Sequence, residues 1–140
     1  FYHIYGLTIL VHIPISRRTP IVVMRRFELK AFLQCIERYH ITLAYVAPPV
    51  CLALAKDPLV AQYDISCLRE IVSGAAPLGT DLTVAVRDRL HTKIRQAYGM
   101  SETSPAILVQ QAHQIIDGSV GQLMPNMVAK LLDDDGKRKY

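Results

Sequence analysis

Residues 96–103, Gln-Ala-Tyr-Gly-Met-Ser-Glu-Thr, gather an aromatic face, a bend, a hydroxyl and a carboxylate into one short tract. Tyr98 offers a ring that can stack on a base, Ser101 a hydroxyl that can donate to phosphate, and Glu102 a hard oxygen ligand suited to Mg²⁺. The composition of residues 93–98 predicts a short strand and Gly99 a sharp turn. Ser101 and Glu102 would then fall at the strand's C-terminal end, where open parallel sheets bind ligands. By itself the tract reads equally well as a strand end capped by a Ser/Glu turn.

A second tract, residues 70–79, is a β-branched run that ends in small residues, a proline and a glycine before a helical pattern. Gly74, Ala75 and Ala76 would let a flat ligand approach the backbone, where bulkier side chains would hold it off. Alone, this segment is also compatible with an ordinary strand-to-helix turn. Gly74 and Tyr98, however, are 24 residues apart, about one strand-helix-strand crossover. That spacing sets the two strand ends side by side in a parallel sheet and makes Tyr98 the second wall of a slot.

The elements that must position these tracts alternate along the chain. Residues 6–14 are apolar enough for a helix, and 21–24 read as a buried strand. Leu29, Phe32, Leu33, Ile36 and Tyr39 recur at helical spacing, which predicts an amphipathic helix over 28–40. Residues 41–46 form a strand stopped by Pro48-Pro49, followed by a short helix over 50–56. After a turn at 64–66 come a strand over 69–72 and a helix whose inward face is Leu82, Ala85, Val86 and Leu90. Strands over 93–98, 106–110 and 128–132 complete the series. The expected fold is α/β: part of a doubly wound, mainly parallel sheet with helices on both faces.

Together the two tracts resemble the AMP-forming acyl-CoA synthetase (adenylate-forming enzyme) family, in its 4-coumarate:CoA ligase-like branch. Ser73 to Gly79 looks like the family's adenine-side motif, and Tyr98 to Thr103 like its Tyr-Gly-x-Thr-Glu motif, in the same order and at similar spacing. Residues 1–6 are similar to the family's histidine loop, 24–28 to its strand-to-helix corner and 45–49 to its Val-Pro-Pro turn. Residues 56–68 resemble its Lys...Tyr-Asp-Leu-Ser connection, and 118–125 its Gly-Ser-Val-Gly-x-Leu-x-Pro segment. The resemblance runs from Phe1 to about Gly136.

It implies an acid-thiol ligase, in which a carboxylic acid is activated by ATP to an acyl-adenylate and transferred to CoA. His3, Ser101 and Glu102 would be catalytic, with Glu102 holding Mg²⁺. Ser73, Gly74, Ala75, Ala76, Pro77, Tyr98, Gly99 and Ser101 would bind the nucleotide. Tyr5, Ala97, Pro105 and Ala106 would line the acid pocket. His12, His40, His91 and His113 match nothing chemical and are expected at the surface or in packing.

The family's upstream phosphate-binding loop with its lysine, its downstream ribose-binding aspartate and its C-terminal domain find no counterpart here. The expectation is therefore an internal piece, with 1–136 a partial AMP-binding domain and 137–140 a divergent tail, inactive by itself. The remainder of the domain and the C-terminal domain would be its partners. Two other readings stay open: a non-catalytic remnant or pseudoenzyme, and an adenylation domain that loads a carrier-protein thiol. Ala97 stands where the family usually has glycine and adds a methyl group to the pocket floor, which should disfavour bulky acids or shift the adenine slightly. Arg25 and Val128 also depart from the pattern, away from the chemistry, and Ser101 keeps the hydroxyl of the usual threonine.

Composition fits a slice of an α/β enzyme. Of 140 residues, 51% are hydrophobic and 20% charged, apolar enough to build a core. The net charge of +4 comes from scattered basic residues, including 17–18, 25–26 and 137–139, without the aromatic interleaving of a nucleic-acid site, so solvated surface is expected. Cys35, Cys51 and Cys67 are too far apart for a Cys-x-x-Cys clip and are expected as buried reduced thiols. No apolar run long enough to span a membrane is present, and no signal peptide is visible. An intracellular setting, cytoplasm or peroxisome, is expected.

Overall fold

The computed structural model describes residues 2–137. Phe1, and most of the tail expected over 137–140, lie outside the described residues. Five strands form one sheet in the order β1 (Leu43–Val46), β2 (Glu70–Ser73), β3 (Lys93–Gly99), β4 (Ala106–Val109) and β5 (Gln122–Leu123). β1, β2 and β3 are parallel, joined by crossovers that carry α4 (Pro48–Lys56) and α5 (Thr80–Leu90). β4 and β5 add antiparallel. Only residues 100–105 separate β3 from β4, too few to return the chain for a parallel pairing.

Strand alternation divides the parallel strands into two faces. Ala44, Val46, Ile71, Ser73, Ile94 and Gln96 share one face by register, and all six are buried. Helices cover it: α3 (Leu29–Tyr39) contributes Leu33 and Ile36, α4 Cys51 and Leu54, and α5 Val86, all in one apolar cluster with the strands. Truncating Leu33 or Ile71 to alanine would cost about 2–5 kcal/mol by the usual cavity penalty. α5 is tied to α4 by Arg89, whose guanidinium donates to the carbonyls of Leu54 (3.1 Å) and Asp57 (2.7 Å), two acceptors left over at the C-terminal end of α4.

Tyr45, Val72 and Arg95 stand level with one another on the opposite face. An N-terminal helical segment crosses it. α1 (Ile4–Leu7) and α2 (Ile13–Arg17) are joined by a π-helical turn, Thr8–His12. Tyr5 reaches the sheet from here: its hydroxyl donates to the Val72 carbonyl (3.2 Å) and its ring meets Tyr45 edge-on, with centroids 6.4 Å apart. Helices thus lie on both faces, with the second only partly covered.

Several expectations change in detail. Residues 21–24 are irregular chain with Ile21, Val22 and Val23 exposed, because no strand stands beside them among the described residues. No strand forms over 128–132, where Val128 and Leu131 are exposed; the final strand is β5, inside the glycine-bounded segment 118–125. Pro48 and Pro49 begin α4 rather than merely ending β1, since a proline in the first helical turn gives up only an amide that has no partner anyway. On α5 the buried residues are Thr83 and Val86, while Ala85 is exposed; the Thr83 hydroxyl donates to the Gly79 carbonyl at 3.0 Å. All three cysteines are free, Cys51 fully buried and Cys35 and Cys67 half-buried.

Candidate active site

The site lies where the parallel strands end. Ser73 pairs with Gln96, so the next residues out, Gly74 and Ala97, are neighbours, and the Gly74 amide donates back to the Val46 carbonyl at 3.1 Å. Gly74, Ala75, Ala97, Tyr98 and Gly99 border one cleft of about 510 Å³ on the half-covered face. The glycine-alanine shelf and the tyrosine, joined in the sequence only by spacing, border the same space.

The strand's alternation alone would send Ala97 and Tyr98 to opposite faces. A register shift at Tyr98/Gly99 breaks it, and the three successive residues Ala97 to Gly99 all reach the cleft. Gly99 is required by contact: a Cβ there would stand 1.7 Å from the Pro105 carbonyl oxygen. Ser101–Thr103 then form a single 3₁₀ turn, held by Thr103. The Thr103 hydroxyl accepts from the Met100 amide (3.0 Å) and lies 2.9 Å from both the Met100 and the Pro105 carbonyl oxygens. The turn leaves Ser101 and Glu102 exposed at the end of β3.

His3 caps α1, its Nδ1 accepting the Tyr5 amide at 3.1 Å. A ring that accepts at Nδ1 carries its neutral-form proton on Nε2, leaving an N–H donor on the far side of the ring. Tyr5 lies against Gly74; a Cβ added at Gly74 would stand 3.3 Å from Tyr5 Cζ. Burial, with Tyr45 and Cys51 adding to it, pushes the Tyr5 phenol well above the usual tyrosine range. Burial also raises Tyr45, with Arg95 opposing and Glu70 assisting.

His3, Tyr5, Gly74, Ala75, Ala97, Tyr98, Gly99, Ser101, Pro105 and Ala106 all line this one cleft. Ser73, Ala76, Pro77 and Glu102 do not. Ser73 falls on the helix-covered face beside Val46; its side chain is 2% exposed and its hydroxyl meets no nitrogen or oxygen partner among the described residues, so only its backbone is left to approach a ligand. Ala76 and Pro77 are exposed beyond the shelf, and Glu102 is exposed next to Ser101. Arg17, expected as solvated surface, and Tyr45, Arg95, Gln111 and Met124 also line the cleft and were not among the expected site residues. Period-two alternation back from Ala97 would have found Arg95; Met124 and Gln111 arrive through β4 and β5, whose antiparallel return was not foreseen.

Among the described residues, no three histidine, cysteine or acidic side chains gather as a metal site, and no helix is long and apolar enough to cross a membrane. Glu102 nonetheless fits Mg²⁺ chemistry: an exposed carboxylate with no partner among the described hydrogen bonds, suited to an ion that takes one or two protein carboxylates and completes its shell with phosphate oxygens and water.

The family model described as AMP-binding enzyme matches residues 1–139. The probable 4-coumarate--CoA ligase 1 of Dictyostelium discoideum is 36% identical over 137 residues, covering 96% of this chain and 25% of that protein. Among solved structures, the anthranilate CoA ligase AuaEII, in complex with anthranoyl-AMP, aligns with a TM-score of 0.74 at 27% identity, over 86% of this chain and 24% of that one. The ATP-bound RpMatB-BxBclM chimera B1 shares the fold, with a TM-score of 0.88 at 23% identity, over 98% of this chain and 27% of its own. The chain spans about a quarter of the length of the curated relatives it matches.

Proposed function

Because the chain belongs to the AMP-binding enzyme family, we propose that it supplies the adenine- and acid-holding part of an ATP-dependent acid-thiol ligase. The single observation that carries this is the convergence of the Gly74-Ala75 shelf, Tyr98, Ser101 and His3 on one cleft. The purine ring stacks on Tyr98 and lies against the shelf, where small side chains allow backbone contact. The acid enters beside Tyr5, Ala97, Pro105 and Ala106.

In the first half-reaction a carboxylate oxygen of the acid attacks the α-phosphorus of ATP, and the bond to pyrophosphate breaks as the acyl-phosphate bond forms. Ser101 donates its hydroxyl to a phosphate oxygen as charge builds there. Glu102 would hold Mg²⁺, which when bound would supply charge neutralisation for the phosphates. His3 presents its Nε2–H to the acid's carboxylate, with Tyr5 N fixing the ring through Nδ1. In the second half-reaction the thiol of CoA attacks the acyl carbon and AMP leaves.

Glu102→Ala in the full-length protein tests this assignment. Acid-dependent exchange of labelled pyrophosphate into ATP is expected to fall by at least about a hundredfold, the usual scale for a lost electrostatic contact to the reacting phosphate. Exchange at the wild-type rate would overturn it.

A further inference from the structure

One wall of the cleft is a single face of the N-terminal helical segment. Tyr5, Ile9, Ile13 and Arg17 all line the cleft, each four residues after the last. In a regular α-helix such a row drifts by about 40° per step, because four residues turn through roughly 400°. The π-helical turn Thr8–His12 sets part of that drift back: the Ile13 amide donates to the Thr8 carbonyl five residues earlier, so this turn holds one residue more. The stripe opens outward along the segment. Tyr5 and Ile9 are half-buried, Ile13 is 41% exposed, and Arg17 is exposed in the last turn of α2.

The stripe is apolar between two polar ends. His3 and Tyr5 stand at one, and at the other is a guanidinium with no ion pair among the described residues. No aspartate or glutamate lines the cleft, and its second arginine, Arg95, is already paired with Glu70. The neighbouring sequence supplies no counter-charge either, since four arginines and no acidic residue precede Glu28. An occupant that brings an anion to Arg17 is therefore favoured.

The spacing sets a length. Three steps of four residues rise by up to roughly 18 Å. A long helical side chain leans back toward the helix N-terminus, and the five bonds from Cα to the guanidinium carbon cover about 6 Å at the roughly 1.2 Å per bond of an extended chain. About 12 Å, or ten such bonds, is left between the guanidinium and the level of Tyr5.

We propose that Arg17 is a specificity-determining residue that binds a second carboxylate at the far end of the acid, so that the preferred substrates are linear α,ω-dicarboxylic acids of about ten carbons. This rests on the ligase reading above, which sets the reacting carboxyl beside His3 and Tyr5. The methylene chain lies along Ile9 and Ile13, and the terminal carboxylate takes guanidinium donors at the mouth. Phosphates suit this path poorly, because the isoleucines between its ends offer them no donor. A monocarboxylic acid of the same length leaves Arg17 unpaired, and a short diacid strands its second charge among the isoleucines.

The test follows pyrophosphate release from ATP by the full-length protein, with CoA present, using decanedioic, decanoic and hexanedioic acids. Wild type is expected to favour decanedioic over decanoic acid by about fivefold or more in kcat/KM, the scale of a charge-assisted hydrogen bond reduced by exposure. Arg17→Met keeps much of the side-chain length and alters an exposed position. It is expected to raise KM for decanedioic acid about tenfold with kcat nearly unchanged, and to alter kcat/KM for the other two acids by less than about twofold. Arg17→Lys keeps the charge and is expected to retain most of the preference.

A wild-type ratio of one or below, or a ratio that survives Arg17→Met, would overturn the proposal and leave the ligase reading standing. So would a rise in KM for ATP or CoA with the acids unaffected, which would assign Arg17 to a phosphate. Absence of pyrophosphate release with a broad panel of acids would take down the ligase reading and this one with it.

Discussion

Tyr5 and Gly74 are fitted to one another: the tyrosine ring lies where only a hydrogen on Gly74 leaves it ordinary room, since a Cβ would come within 3.3 Å of Cζ. The Tyr5 hydroxyl is held at the Val72 carbonyl, so the ring has little room to retreat. In the proposed site the nucleotide shelf and the acid wall are therefore one contact, and a change on either side should be felt by both substrates.

Gly74→Ala should crowd the ring by a few tenths of an ångström and lower kcat/KM for the acid roughly tenfold, in line with modest overpacking. Gly74→Val should be worse by a further order of magnitude. Replacing Tyr5 with alanine in the Gly74→Ala background should recover most of that particular loss, and steady-state kinetics on the three variants checks it.

Gly99 answers to backbone and not to a movable side chain. Gly99→Ala places a methyl group in the Pro105 carbonyl, and we expect a loss of about 2–4 kcal/mol in stability as β3 and β4 are forced apart. Thermal denaturation should register it as a lowered Tm, together with loss of adenylate formation. A Tm equal to wild type would mean that the close approach of the two strands is not needed.

Thr103 holds the turn that presents Ser101 and Glu102. Thr103→Val keeps the shape and deletes the hydroxyl that serves Met100 and Pro105. We expect about 1 kcal/mol of destabilisation and a several-fold fall in pyrophosphate exchange. Thr103→Ser should restore the exchange; if it does not, the methyl group and not the hydroxyl is what the turn needs.

Tyr5 gives the fold a sensitivity to alkali. Its phenol is raised in the folded state mainly by burial, so above the ordinary tyrosine value the unfolded chain loses a proton that the folded chain retains. Stability from this group is complete below about pH 10 and declines as pH rises beyond it. Tyr5→Phe should flatten that decline in urea melts run from pH 9 to 11. In the wild type, absorbance titration should show Tyr5 and Tyr45 ionising above the ordinary tyrosine value.

Where local chemistry decides structure, the chain was legible. The α3 stripe, the β2 and β3 runs and the 24-residue spacing from Gly74 to Tyr98 led directly to the parallel half of the sheet and to one shared cleft. Residues 21–24 show where that ends: a β-branched run specifies willingness to pair but supplies no partner, and these residues stay exposed. Ser73 sits inside a binding motif yet points into the core, because alternation from Ile71 and not motif membership decides its face. Arg95 escaped notice for the converse reason. Alternation back from Ala97 puts it on the cleft face, but the groups that fix it there, Glu70 and Gln110, are distant in sequence.

We place acyl-adenylate formation in the cleft bordered by the Gly74-Ala75 shelf and Tyr98. Its most direct test is acid-dependent exchange of labelled pyrophosphate into ATP by the full-length protein, wild type against Tyr98→Ala, with ATP varied at saturating acid. We expect wild-type exchange to require both acid and Mg²⁺, and Tyr98→Ala to raise KM for ATP about ten- to a hundredfold through loss of one stacking partner. An unchanged KM for ATP in a folded Tyr98→Ala protein would contradict the account.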